Sequence, residues 1–195
     1  MTPLPESLLE SVAAAAVREG LADAIFTRLN TPLGRLLVVQ GPSGIIRIAF
    51  ETEREDAVLA EIARTLGPNV IASDRELAPA RDALSAYLEG DATQLELPVD
   101  LRLTTAPFRR VVLEELRSVP RGQTVSYGEL ARRAGNPRAS RAVGSACARN
   151  PVPIVVPCHR VLPSTGRLGN YGGGPERKRV LLELEGAIPR SLRPT

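Results

Sequence analysis

The amino-acid sequence predicts an α/β (α+β) protein with an antiparallel sheet in the first half of the chain and a mainly helical second half. Three short apolar runs, at residues 25–29, 35–40 and 45–50, are separated by Thr31-Pro32-Leu33-Gly34 and Gly41-Pro42-Ser43-Gly44. Such turn sequences between apolar runs are typical of antiparallel strands. After residue 104, apolar residues recur at helical spacing instead, and the segments end at proline or glycine.

The remaining elements of the first half are predicted to be helices. A helix at residues 8–18 ends at Gly20, and its role is not assigned. Residues 54–66 and 76–88 carry apolar side chains three and four residues apart, as amphipathic helices do. Residues 95–101 fit either an edge strand or a linker, because Pro98 is incompatible with a central strand. We therefore place a domain boundary between about residues 91 and 105.

The second half contains four predicted helices, at residues 107–119, 126–134, 138–148 and 175–185. The second begins with a capping box, Ser126 and Glu129, and ends at Gly135. The turn Asn136-Pro137 joins it to the third, which makes the pair a candidate helix-turn-helix. Many helical hairpins bind nothing, so the pattern alone does not establish DNA binding.

Charge and composition favour nucleic acid as the partner of the second half. Residues 1–103 hold 9 basic and 16 acidic residues, a net charge of −7, whereas residues 104–195 hold 16 basic and 6 acidic residues, a net charge of +10. The third helix carries Arg138 and Arg141 among small residues and has few side chains that read base edges. This composition predicts binding through the minor groove of double-stranded DNA.

The composition also excludes several classes of protein. No run approaches the roughly 18 apolar residues of a membrane span, and the acidic start is unlike a secretory signal, so we expect a cytoplasmic protein. Two cysteines cannot form a disulfide framework. Two cysteines and one histidine are also too few for a structural zinc site, so we expect no metal.

The residues most suggestive of chemistry are Pro157-Cys158-His159-Arg160, which lie between two apolar runs. A thiol has an ordinary pKa of about 8.5 and becomes a strong nucleophile near a base or a positive field. We therefore expect an activated Cys158 thiolate, with His159 linked to it through water because adjacent side chains rarely face each other. The competing interpretation is a buried, inert thiol beside a core histidine. Cys147 is interpreted as a packing residue.

A glycine-rich loop at residues 169–174 precedes the last predicted helix. It has neither the Gly-Lys-Ser/Thr ending of a phosphate-binding loop nor the spacing of a dinucleotide fingerprint. Its backbone N–H groups would be suited to holding a planar base.

Taken together, several motifs closely resemble the O6-alkylguanine-DNA alkyltransferases. They are Ser126-Tyr127-Gly128, Arg141-Ala142-Val143-Gly144, Asn150-Pro151, Pro157-Cys158-His159-Arg160-Val161, Gly169-Asn170-Tyr171 and Leu181-Leu182 followed by Glu185-Gly186. The likeness covers residues 108–186 closely and the region of residues 31–34 more loosely.

The resemblance implies a ribonuclease-H-like domain with a three-stranded antiparallel sheet and helices at residues 24–103, and a winged-helix-like domain with the helix-turn-helix at residues 104–195. Residues 1–23 lie outside the resemblance, and we assign them to an N-terminal extension. It further implies that Cys158 takes the alkyl group irreversibly from a guanine rotated out of duplex DNA. One protein would be consumed per lesion, without a cofactor. O4-alkylthymine would be a second substrate.

The resemblance also assigns roles to individual residues. His159 would be the water-linked base, Glu185 its orienting carboxylate, Asn150 the residue that orders the turn, and Tyr127 the proton donor to guanine, whose ring also crowds the 3′ phosphate. The guanine would be bound by the carbonyls of Cys158 and Val161, by the Gly172 N–H and by the loop residues Tyr171 and Gly173. DNA would be contacted by Tyr127, Arg138, Ser140, Arg141, Ala142 and Gly144, with Arg141 filling the vacated stack.

The sequence departs from the family pattern at Gly172, where some relatives have serine, and at Arg109 and Arg121. Two alternatives remain open at this point: a lesion sensor of the same fold that does not repair, and a cysteine hydrolase. We expect a monomer, and cooperative assembly on DNA stays open.

Overall fold

The computed structural model describes residues 6–190 and confirms the mixed α/β architecture. The sheet contains β1 (Ala24–Thr31), β2 (Gly34–Gly41) and β3 (Gly44–Phe50), paired antiparallel as the sequence predicts. A fourth strand, β4 (Val70–Ala72), extends the sheet by pairing parallel to β1. The sequence did not predict β4, because three residues are too few to show an alternating pattern.

Both faces of this sheet are buried, which explains why its strands are almost continuously apolar. Helix α2 (Glu55–Leu66) covers one face with Val58 and Ile62. Helix α3 (Ala78–Glu89) and the second half of the chain cover the other face, where the larger core lies. Helix α1 (Glu6–Arg18) lies beside β4, where the Glu10 carboxylate accepts hydrogen bonds of 2.9 Å from the Ser73 hydroxyl and the Asp74 N–H.

The edge of β3 connects the sheet to the rest of the chain. Ile45 N–H donates to the Pro98 carbonyl at 2.7 Å, and Asp100 N–H donates to the Ile45 carbonyl at 2.9 Å. Residues 95–101 are thus a linker with one bridge to β3 rather than an edge strand. Further along the same edge, Ile48 N–H donates to the Pro151 carbonyl at 2.9 Å, which fixes the turn after residue 150 against the sheet.

The second half comprises α4 (Pro107–Arg117), α5 (Tyr127–Arg133), α6 (Ser140–Ala148) and α7 (Pro175–Leu184). The Ser126 half of the predicted capping box is confirmed, since the Ser126 hydroxyl accepts a hydrogen bond from Glu129 N–H, whereas the Glu129 carboxylate pairs with Arg132 and Arg133. Gly135 follows α5 with a φ of 80°, a conformation that glycine adopts without strain. Helices α5 and α6 pack against each other as the helix-turn-helix prediction requires.

Two very short strands, β5 (Val125–Ser126) and β6 (Val161–Leu162), pair parallel and were not predicted. Helix α5 begins immediately after β5, and a 3₁₀ turn at Cys158–Arg160 ends immediately before β6. The pairing therefore brings Tyr127 and Cys158, which are distant in sequence, to neighbouring positions. Within residues 6–190, no helix is long and apolar enough to cross a membrane.

Gly44 is expected to be essential for the turn between β2 and β3. Its φ is 132°, and a Cβ atom there would lie 2.4 Å from the Pro98 carbonyl oxygen. Gly44→Ala should therefore lower the free energy of unfolding by about 2–3 kcal/mol. Gly20→Ala is the matched control, because Gly20 also has a positive φ but no atom within 4 Å of a Cβ. Gly20→Ala should lower the free energy of unfolding by about 1 kcal/mol. Urea unfolding measures both, and equal losses would contradict a clash with the linker.

Candidate active site

Cys158 begins the 3₁₀ turn and is 4% exposed, so its thiol is almost fully buried. Asn150 Nδ2 donates to the Cys158 sulfur at 3.1 Å and to the Val156 carbonyl at 2.8 Å. Asn150 Oδ1 in turn accepts from Val152 N–H at 3.0 Å. The amide thus joins the start and the end of the segment that carries the cysteine.

The same segment contains one strained residue. Ile154 has a φ of 77°, which is unfavourable for a β-branched side chain and costs about 1–3 kcal/mol. Ile154 is also buried, and the segment is fixed by Asn150 on one side and by the edge of β3 on the other. These contacts offset the strain and hold the backbone that leads into Cys158.

His159 is completely buried and points one ring nitrogen at Glu185. Its Nε2 lies 2.7 Å from Glu185 Oε1. Because an ionised carboxylate only accepts, Nε2 carries the proton and Nδ1 is the acceptor of the neutral ring. Nδ1 has no protein hydrogen-bond partner within residues 6–190. Burial lowers the pKa of His159 below its ordinary value of 6.5, which keeps the ring neutral at pH 7.

Glu185 is the centre of a buried cluster that we call the Glu185 cluster: Tyr87, His159, Arg160 and Glu185. Arg160 donates to the carboxylate through Nε at 2.8 Å and Nη2 at 3.0 Å, and the Tyr87 hydroxyl also donates to it. Burial raises the pKa of Glu185, but these donors lower it more, so the carboxylate stays ionised well below its ordinary pKa of 4.5. Burial and the neighbouring carboxylate raise the pKa of Tyr87 to about 12.

The burial of Cys158 bears on the protonation state that we expected for it. Burial raises the pKa of Cys158 to about 11, although Asn150 and the Lys178 ammonium oppose the shift. The resting group is therefore a thiol at neutral pH and not the activated thiolate that we expected. The neighbouring Arg160 donates its hydrogen bonds to Glu185 and the Val119 carbonyl.

Cys158 nevertheless borders two cavities. The first, the Tyr127 cavity, has a volume of about 480 Å³ and is also lined by Gly144, Pro163, Asn170 and Gly172. The second, the Arg47 cavity, has a volume of about 410 Å³ and lies toward the sheet. Cys147, predicted to be a packing residue, lines both cavities together with Tyr171 and Gly172. The sulfur is thus buried but accessible from a cavity.

Of the residues expected to bind guanine, some line the two cavities and others pack away from them. Gly172 lines both cavities, and no atom lies within 4 Å of a Cβ built there. Tyr171 lines them as well, with a buried hydroxyl that has no partner within residues 6–190. Gly173 instead packs tightly, since a Cβ would lie 2.7 Å from the Phe50 ring. The Val161 carbonyl already accepts a hydrogen bond of 2.7 Å from Lys178 Nζ, which leaves one lone pair.

The residues expected to contact DNA lie together on the helix-turn-helix. Arg138, Arg141 and Ala142 are exposed, and Ser140 and Gly144 are partly exposed. In the described part of the chain, neither Arg138 nor Arg141 forms an ion pair or a side-chain hydrogen bond. A Cβ at Gly144 would lie 3.8 Å from the Tyr127 ring, so this helix passes directly over that side chain.

Sequence reasoning missed Tyr87 and Lys178. Tyr87 comes from α3 in the first half of the chain, and no local motif marks it. Lys178 carried a signal that was overlooked, because it is the only lysine in a sequence with 24 arginines. No group of three or more potential metal ligands occurs within residues 6–190.

Glu185→Gln should destabilise the protein by about 3 kcal/mol, because it leaves the largely buried Arg160 guanidinium without a counter-ion. The pH dependence should change as well. A carboxyl whose folded pKa is lowered contributes stability above its unfolded pKa of 4.5 and loses it as the pH falls further. Below pH 4.5, the unfolding free energy of the unmodified protein should therefore fall more steeply than that of the variant. Glu114→Gln, at an exposed site on α4, is the control; parallel pH profiles for Glu185→Gln and the unmodified protein would argue against the proposed ion pair.

Comparison with known proteins agrees with this arrangement. A family model described as the ribonuclease-like domain of 6-O-methylguanine DNA methyltransferase matches residues 24–101. A second, described as the DNA binding domain of the same protein, matches residues 107–187. A methylated-DNA–protein-cysteine methyltransferase of Mycobacterium bovis is 50% identical over 106 residues, which are 54% of this chain and 63% of that protein. The matched part thus spans less than two thirds of that relative.

Other relatives match over most of their length. A methylated-DNA–protein-cysteine methyltransferase of Methanosarcina acetivorans is 33% identical over 158 residues, 81% of this chain and 96% of that protein. The crystal structure of Mycobacterium tuberculosis OGT in complex with DNA superimposes with a TM-score of 0.70 at 36% identity, covering 83% of this chain and 92% of that one. The resemblance inferred from the sequence is confirmed: the chain belongs to the 6-O-methylguanine DNA methyltransferase family.

Proposed function

We propose that this protein repairs O6-alkylguanine in double-stranded DNA by moving the alkyl group to the Cys158 sulfur, once per molecule. The observation that carries the proposal is the position of that sulfur. It borders a cavity large enough for a base, and it follows directly on a segment fixed by Asn150. The neighbouring His159 is held by Glu185 with Nδ1 left as an acceptor.

The protonation states of Cys158 and His159 define how the cysteine is activated. Because the pKa of Cys158 is about 11, the thiol must lose its proton as the reaction proceeds. Nδ1 of His159 takes this proton through a water molecule, and the resulting imidazolium is stabilised by the Glu185 carboxylate, 2.7 Å from Nε2. A neutral resting histidine is needed for this role, and the lowered pKa of His159 provides it.

In the transfer step the sulfur forms a bond to the alkyl carbon, and the bond between that carbon and guanine O6 breaks. The electron pair leaves with the guanine, which takes a proton from the Tyr127 hydroxyl. Burial raises the pKa of Tyr127, so the phenol carries this proton at neutral pH. The resulting thioether has no leaving group, so the protein is consumed and needs no cofactor. Because a lesion sensor would not need a nucleophile, the presence of Cys158 disfavours that alternative.

The guanine is proposed to bind in the Tyr127 cavity. The carbonyls of Cys158 and Val161 accept from its exocyclic amine, and the Gly172 N–H faces O6, with Tyr171 beside it. Because this contact uses the backbone, the glycine at position 172 preserves it. Gly173 contributes through packing against Phe50, which sets the position of the loop. O4-alkylthymine is proposed as a second substrate.

We propose that helix α6 binds in the minor groove of DNA. The unpaired Arg138 and Arg141 supply positive charge, and the small residues Ser140, Ala142 and Gly144 allow close approach. Arg141 enters the base stack and fills the space that the rotated guanine leaves. The relative in complex with DNA supports DNA as the partner.

The proposal also covers the domain organisation, the oligomeric state and the compartment of the protein. We assign residues 1–23 to an extension, 24–103 to a ribonuclease-H-like domain, and 104–195 to the winged-helix-like domain that binds DNA. We expect a monomer in the cytoplasm. Cooperative assembly on DNA is an alternative that a titration on long duplexes resolves.

Intact-protein mass spectrometry tests the transfer directly. Incubation with duplex DNA containing O6-methylguanine should add the mass of one methylene to the protein, and no second addition should follow. Cys158→Ser should gain nothing, whereas Cys147→Ser, the matched control at the other cysteine, should gain the same mass as the unmodified protein. No gain, or a gain that persists without Cys158, would falsify the proposal, and steady turnover of a small ester would favour a cysteine hydrolase.

Arg141→Ala tests the role of α6. It should slow repair of duplex O6-methylguanine much more than the reaction with free O6-benzylguanine, because the free base needs no rotation out of a stack. Arg64→Ala removes the same charge from an exposed site on α2 and should change neither rate. Equal slowing of both reactions by Arg141→Ala would instead indicate a general loss of active-site structure.

A further inference from the structure

Lys178 is a buried cation that the proposed transfer does not use. It lies on α7 and is 0% exposed, although lysine is among the residues least often buried. Its Nζ donates to the Val161 carbonyl at 2.7 Å and contacts the Asn170 carbonyl at 3.5 Å. Every other basic residue in the sequence is an arginine. This buried position thus holds a compact ammonium, which is smaller than a planar guanidinium and has three rotatable donors.

Within residues 6–190, this ammonium has no carboxylate partner. Among the described residues, the ion pairs include Arg160 with Glu185 and Arg177 with Glu51, but none includes Lys178. Burying a cation without a counter-ion is costly, so such a group is expected to have an anionic partner at some stage of function. Its carbonyl partners satisfy hydrogen bonds but supply no compensating charge.

The groups around Lys178 identify that anion. Helix α7 packs against the 3₁₀ turn that carries Cys158 and His159, and Cys147 on α6 lines the same cavities as Cys158. The charges of both thiols act on the Lys178 ammonium. His159 is neutral at rest and becomes a cation in the proposed transfer, so it cannot compensate Lys178. Cys147 is not the reacting thiol of that transfer, and burial raises its pKa far above 9.0. The Cys158 thiolate, formed when its proton leaves, is the remaining anion.

We propose that Lys178 is a positioning residue that holds the Val161 carbonyl beside the cysteine and provides the positive charge against which the Cys158 thiolate forms. Its hydrogen bond fixes one of the two carbonyls that the proposed function assigns to guanine binding. Its charge acts on the sulfur through space. The ammonium already opposes the effect of burial on the pKa of Cys158. The carbonyl role rests on the proposed function, whereas the effect on the thiol does not.

The experiment measures the reactivity of Cys158 without DNA. All proteins carry Cys147→Ser, so that Cys158 is the single cysteine, and alkylation by iodoacetamide is followed by mass spectrometry from neutral to alkaline pH. The Cys158 sulfur displaces iodide and the thiol proton passes to the buffer, so no guanine is involved. Lys178→Met removes the charge and the donor, whereas Lys178→Gln removes the charge and retains a donor. Arg179→Met is the control, because Arg179 is an exposed cation on the same helix.

We expect both Lys178 variants to react about tenfold more slowly at every pH below the pKa of the thiol, as a rise of one pKa unit would produce. Their melting temperatures should equal or exceed that of the parent protein, because an uncompensated buried charge has been removed. Arg179→Met should react at the parent rate.

Several outcomes would overturn the inference. An unchanged rate in both variants would exclude an effect of the charge, and a parent-like rate in Lys178→Gln alone would assign the effect to the hydrogen bond. Slower reaction with a lower melting temperature in both would indicate loss of structure. Methyl transfer from duplex DNA is measured separately on the unmodified protein, so its absence would reject the proposed function and leave the comparison of lysine variants valid.

Discussion

The buried carboxylate of Glu185 is the interaction on which the site depends. It follows α7 and accepts hydrogen bonds from Tyr87 on α3 and from Arg160 in the 3₁₀ turn, besides its contact with His159. Removing a carboxylate from water costs several kcal/mol, and only a set of well-placed donors offsets that cost. Because the donors come from distant parts of the chain, the cost of burying the ionised carboxylate is offset only when these parts have assembled around it.

A second constraint is the edge of β3. An exposed strand edge would leave unpaired N–H and C=O groups. Here the linker at Pro98 and the turn at Pro151 occupy it, so the sheet of the first half directly supports the segment that leads to Cys158. The strained backbone at Ile154 lies within that segment. The two halves of the chain therefore share one site, although the helix-turn-helix belongs entirely to the second half.

Burial of the cysteine has two opposing consequences. It shields the nucleophile from bulk water, which favours transfer over side reactions, but it also raises the pKa of the thiol to about 11. The protein must therefore remove the thiol proton during the reaction and stabilise the negative charge of the Cys158 thiolate. The Asn150 amide donates to the sulfur, and His159 Nδ1 has no partner among the described residues and can accept the proton. The buried ammonium of Lys178 provides positive charge nearby.

The sequence by itself determined the features that depend on neighbouring residues. Turn sequences defined the antiparallel strands, Ser126 and Gly135 marked the ends of a helix, and Pro157-Cys158-His159-Arg160 marked the candidate site. The tertiary structure decided β4 and the two-residue strands, which are too short to leave a periodic pattern. It also decided the partners of Glu185, since Tyr87 lies 98 positions away and no local rule relates the two. The sign of the Cys158 pKa shift belongs to this second group, because burial is a property of the assembled fold and a motif does not contain it.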